Sequence, residues 1–208
     1  MNKNQRLKTV QMTELAILTA IVLVLQLTGT AIKLTGLGTS ISLVLIPIVL
    51  GAVLLGPAAG AWLGFTFGAV TYLMGVFGLD AFTNILFTYH PVLTALICFG
   101  KGICAGLAAG LIYRALLKIN PYVAAIAAAA AAPIVNTGLF VLGGLTMTET
   151  LAVNFADGQG VSVIYFLIVI CAGINFIFEL LLNLVLSPVI YRVSVIVKKS
   201  IHRNMTSV

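Results

Sequence analysis

The stretch Ile46-Pro47-Ile48-Val49-Leu50-Gly51-Ala52-Val53-Leu54-Leu55-Gly56-Pro57-Ala58-Ala59-Gly60-Ala61 carries no charge, and its reading decides how often the chain crosses a membrane. Taken as one kinked helix it gives five spans. Broken at Gly56-Pro57 it gives six. Proline suits the first position of a helix and glycine the turn before it, so the pair predicts a tight turn with Pro57 opening a new helix. Charge favours the same choice. With six spans both termini share a side, and Lys3, Arg6, Lys8, Arg114, Lys118, Arg192, Lys198, Lys199 and Arg203 all fall on it. Lys33, Asp80, Glu149 and Asp157 fall opposite, and the positive-inside rule then places both termini in the cytoplasm.

The composition demands a membrane. Of 208 residues 61% are hydrophobic and 8% charged, with a mean hydropathy of +1.19, which is too little polar surface to cover a water-soluble globule. A helix rising 1.5 Å per residue needs roughly 17 to 25 apolar residues to cross the hydrocarbon. Segments near 12–28, 39–55, 58–78, 91–118, 121–145 and 162–197 qualify, so residues 1–208 read as one all-α membrane domain, a bundle of six helices. The basic N-terminus leads into these spans without a small-residue cleavage site, so the first helix is expected to be retained. Eleven Lys and Arg stand against five Asp and Glu. No basic stripe interleaved with aromatics accompanies that excess, so nucleic acid is not indicated.

The connections are unequal. Those at Gly56-Pro57 and Asn120-Pro121 are minimal, whereas the outer ones, near 29–40, 79–90 and 146–161, are long. Long loops at one face of a small bundle are commonly functional. They hold Asn84, Tyr89 and His90, with Phe82, Phe87 and Phe155, and they read as loop lids over an outward-facing pocket.

Lys101 and Glu179 each sit within a long apolar stretch. A charge at membrane depth costs roughly 2.5 to 3.5 kcal/mol on insertion scales, so it faces a protein interior or a polar cavity. Asn175, Glu179, Asn183 and Ser187 recur every fourth residue, which puts them on one face of the last helix. Counted by helical rise from the outer ends, Asn175 lies roughly 20 Å deep, Lys101 roughly 15 Å and Asn136 roughly 14 Å. Polar groups from three helices thus meet near one level. Two readings stand side by side: a ligand site, or interhelical glue with a structural Lys101–Glu179 ion pair.

Small residues recur in Ala16-x-x-x-Ala20, Gly60-x-x-x-Gly64-x-x-x-Gly68 and Gly102-x-x-x-Gly106-x-x-x-Gly110. Such spacing lets helix backbones approach closely, within the chain for the glycines and within it or toward a partner for the alanines. Gly100-Lys101-Gly102 lacks the following hydroxyl residue and the preceding glycine spacing of a phosphate loop. Ser40 and Ser42 with His90 raise an intramembrane hydrolase, but no G-x-S-x-G element supports it, and His90 before Pro91 reads as a helix-start residue. No H-E-x-x-H is present. Cys98, Cys104 and Cys171 show no metal spacing and read as packing thiols. No cofactor is indicated. A stand-alone secondary transporter or channel, its polar stripe lining a continuous path, remains the rival binding-class reading.

Ala16-x-x-x-Ala20, the Ile46–Ala61 stretch with its Gly-Pro-x-x-Gly-Ala turn, Pro133-Ile134-Val135-Asn136-Thr137 and Asn175 to Glu179 together resemble the substrate-binding S components of energy-coupling factor vitamin transporters. The likeness covers nearly the whole chain. It implies six membrane helices with cytoplasmic termini and a non-enzymatic subunit that binds a vitamin at the outer face. It further implies that Ala16 and Ala20 dock on a transmembrane T component, that two separate ATPase subunits supply energy, and that the subunit tips over to release its cargo. Lys101, Asn136, Asn175 and Glu179 match positions that line the vitamin pocket in that family. No residue set matches the riboflavin, thiamine, biotin or cobalamin members, and the likeness leans to the pantothenate-like and uncharacterised ones. Lys101 would suit a carboxylate, whereas a Lys101 already neutralised by Glu179 would accept a neutral vitamin.

Overall fold

The structure, a computed structural model, describes residues 3–29 and 43–206. Lys33, Ser40, Ser42, nearly all of the 29–40 connection and residues 39–42 of the second expected span lie outside the described residues. The chain is all-α. Five stretches are long and apolar enough to cross a bilayer: Gln5–Gly29, Pro57–Val76, Pro91–Leu116, Pro121–Gln159 and Val163–Val197.

Gly56 does break the apolar run. Its backbone adopts φ 103° and ψ 179°, a region open to glycine, so α2 (Leu45–Leu55) stops and Pro57 opens α3 (Pro57–Val76). The eleven residues of α2 rise about 16 Å, less than the hydrocarbon thickness. They are its most enclosed helix, with Leu45, Ile48, Val49, Ala52 and Val53 all buried. Before it, α1 (Lys3–Gly29) begins well upstream of the expected residue 12, its first turns polar. The Gln26 Nε2 donates to Thr71 Oγ1 at 3.1 Å and ties α1 to α3.

Helix starts follow the sequence signals. Pro91 opens α5 (Pro91–Leu116) and Pro121 opens α6 (Pro121–Gly144), where Asn120 Oδ1 accepts from the backbone N–H of Tyr122 at 2.9 Å. The two glycine series face each other. A Cβ added at Gly60, Gly64 or Gly68 would overlap the carbonyls of Gly106, Gly102 and Cys98 respectively, so α3 and α5 run antiparallel with their backbones in contact. That contact fixes the height of Lys101 against Phe67.

The outer segments are not the loops expected. Residues 81–89 form α4 (Ala81–Tyr89), because Phe82 and Leu86, one turn apart, bury on the bundle. Residues 145–159 are helical as well, built from short turns around α7 (Thr148–Leu151) with Met147, Leu151 and Ala156 buried. The last stretch starts with α8 (Val163–Tyr165), widens into π-helical turns over Phe166–Gly173 and continues as α9 (Ile174–Thr206). Pro188 inside α9 cannot donate to Leu184 O. The Ser187 hydroxyl donates there instead at 2.8 Å, which keeps the helix intact.

Candidate functional site

Three helices bring the sequence-predicted polar groups together. Lys101 of α5, Asn136 of α6, and Asn175 and Glu179 of α9 line one cavity of about 90 Å³, with Thr137, Phe140, Cys171 and Ala172 completing its wall. The volume is small beside the roughly 300 to 1,000 Å³ of typical ligand pockets. Admitting a metabolite therefore requires the walls to part.

Lys101 is half-buried. Its ammonium stands over two aromatic faces, 5.3 Å from the ring centre of Phe67 and 5.5 Å from that of Phe140. Such contacts contribute about 0.5 to 2 kcal/mol each, short of the several kcal/mol that removing a charge from water costs. The Glu179 carboxyl lines the same cavity and is the other ionisable group in its wall. Asn136 adds the complementary feature. Its side chain is 7% exposed and its Oδ1 has no hydrogen-bond partner among the described residues. A buried acceptor left unpaired costs about 1 to 3 kcal/mol, which a donor on a bound molecule would recover.

The face of α9 supplies the rest. Asn175 Nδ2 donates to Cys171 O at 3.2 Å, at the junction where the π-helical turns give way to α9. Wide turns of this kind are frequent at functional sites. Glu179 is 7% exposed, and one turn on Asn183 Nδ2 donates to its carbonyl at 2.8 Å. Ser187 lies fully buried further along the same stripe.

An aromatic cap borders the cavity on the side away from the basic end. Phe82 of α4 packs 5.9 Å from Phe140 and 5.1 Å from Phe155, and Phe155 stacks 5.5 Å from Phe166. Phe140 and Cys171 belong both to this apolar cluster and to the cavity wall. His90 Nε2 lies 2.9 Å from Thr150 Oγ1 and links the α4–α5 junction to α7.

Three further sequence candidates stand outside the cavity lining. Asn84 Nδ2 donates to Gly75 O at 2.7 Å and staples α4 to the end of α3. Tyr89 is exposed, and His90 engages Thr150. Ala16 and Ala20 are exposed on the outer face of α1. The sequence reading passed over Phe67, Thr137, Phe140, Cys171 and Ala172. Helical spacing was the available signal for two of them, since Phe140 follows Asn136, and Cys171 precedes Asn175, by one turn.

Residues 10–191 match the family profile described as ECF transporter, substrate-specific component. No curated protein matches the chain.

Proposed function

The chain belongs to the substrate-specific components of energy-coupling factor transporters, and from that premise we propose that it captures a small vitamin or vitamin precursor, pantothenate first, in the cavity lined by Lys101, Asn136, Asn175 and Glu179. Membership makes it a multi-pass membrane subunit of a transporter, not an enzyme, with the energy-coupling module as its partner. The observation that carries the ligand reading is Asn136 Oδ1, buried and unpartnered in the same cavity as the Lys101 ammonium. Asn183 Oδ1 is likewise without a partner among the described residues but stands outside the cavity lining, so it is the position of Asn136 beside the ammonium that supports a ligand. A carboxylate with hydroxyl and amide N–H groups answers both features, the anion on Lys101 and a donor on Asn136, and pantothenate has that set.

In this reading six spans cross the membrane, with α2 belonging to the second. Arg114, Lys118 and Arg192 at one end of the bundle and Asp80, Glu149 and Asp157 at the other support cytoplasmic termini. Helix α4 and the 145–159 segment serve as lids on the outer face. Tyr89, His90 and Asn84 act through those lids. The exposed Ala16 and Ala20 give the T component a close backbone approach, and its associated ATPase subunits drive uptake.

Titration of the detergent-purified chain with pantothenate tests the assignment. Saturable one-to-one binding is expected. Absence of binding to pantothenate and to related small carboxylates would overturn the substrate class.

A further inference from the structure

A second hollow, of about 520 Å³, opens between α1 and the α2–α3 turn and shares no lining residue with the cavity described above. Its walls include Leu15 of α1, Leu55 and Ala58 flanking the turn, and Trp62 of α3, while Lys8 and Gln11 stand on the first turns of α1. No Asp or Glu lines it. The Arg114 guanidinium packs on Gly56, between Leu55 and Pro57, and adds a second positive charge at this end. Met12 also lines it, one turn before Ala16, so the hollow borders the face of α1 that carries Ala16 and Ala20.

We propose that this hollow is a binding site for an anionic phospholipid. An acyl chain lies against Leu15, Leu55, Ala58 and Trp62, and the headgroup phosphate takes the Lys8 ammonium with the Gln11 amide as a second donor. Three observations converge on that occupant. The walls are mostly apolar around a hollow of about 520 Å³, room for part of an acyl chain. The positive charges gather at one end only, at the helix terminus where α1 passes from polar to apolar residues, as a molecule with one charged end requires. The half-exposed indole of Trp62 sits at the same end, the depth that tryptophan favours at a membrane interface.

Trp62 is the only tryptophan of the chain, so the fluorescence comes from a wall residue of this hollow. The full chain is placed in phosphatidylcholine nanodiscs with rising fractions of phosphatidylglycerol or phosphatidylcholine brominated on the acyl chains. Half-maximal quenching is expected at an about fivefold lower fraction of the anionic lipid. Lys8→Gln should bring the two curves together, while Lys118→Gln, at an exposed site away from the hollow, should leave them apart. Coincident curves for the unaltered chain, or a separation undiminished in Lys8→Gln, would overturn the proposal. So would the absence of quenching by either lipid, the result expected if a second copy or a partner helix fills the hollow.

Discussion

The ammonium of Lys101 stands 5.5 Å from the ring centre of Phe140, and that same ring packs 5.9 Å from Phe82 of α4. One aromatic side chain thus lies against both the half-buried ammonium and Phe82 of α4.

Lys101→Ala is expected to weaken pantothenate binding roughly 10- to 100-fold, the range of a charge-assisted hydrogen bond of about 1.5 to 3 kcal/mol. Thermal stability in detergent should fall little, because the lost contacts are two aromatic faces. A parallel loss of binding and stability would instead support a structural charge.

Asn136→Leu should abolish binding while leaving the melting temperature unchanged or higher. The replacement removes an unpaired buried acceptor whose desolvation costs about 1 to 3 kcal/mol. Differential scanning fluorimetry together with a binding titration separates this outcome from glue, for which stability would drop.

Thr150→Val keeps the volume of the side chain and removes the partner of His90. The expected effect is a several-fold faster release of bound ligand, measured by isotope chase, with the cavity residues untouched. Unchanged release would detach the His90–Thr150 contact from lid closure.

Gly64→Ala should lower the yield of folded protein sharply, since the added methyl overlaps the Gly102 carbonyl and overpacking costs about 1 to 3 kcal/mol or more. Gly100→Ala is the matched control. A Cβ there meets nothing within 4 Å, and helix propensity favours alanine, so size-exclusion profiles should match the unaltered chain.

Ala16→Leu with Ala20→Leu should leave ligand binding intact and block co-purification with the energy-coupling module. Both positions are exposed on α1 and take no part in the cavity wall.

The convergence of Lys101, Asn136, Asn175 and Glu179 was legible because polar residues stand out in an apolar chain and helical rise converts their positions into depths. The break at Gly56-Pro57 was legible because glycine admits the positive φ of the turn and proline suits the first helical position. The aromatic walls were not. Phe67 and Phe140 differ little from dozens of lipid-facing neighbours until their contacts are known. Helix α4 was hidden by its Thr and Asn content, although Phe82 and Leu86 carried the period. Asn84 offered no sequence signal that separates a staple from a ligand contact, because an amide serves both.

Native mass spectrometry of the gently purified chain, unaltered and as Lys101→Ala, bears most directly on the central claim. The account predicts one retained small carboxylate, with the mass of pantothenate, on the unaltered protein and its loss from the variant. No retained or added metabolite on either protein, or equal retention by both, would contradict it.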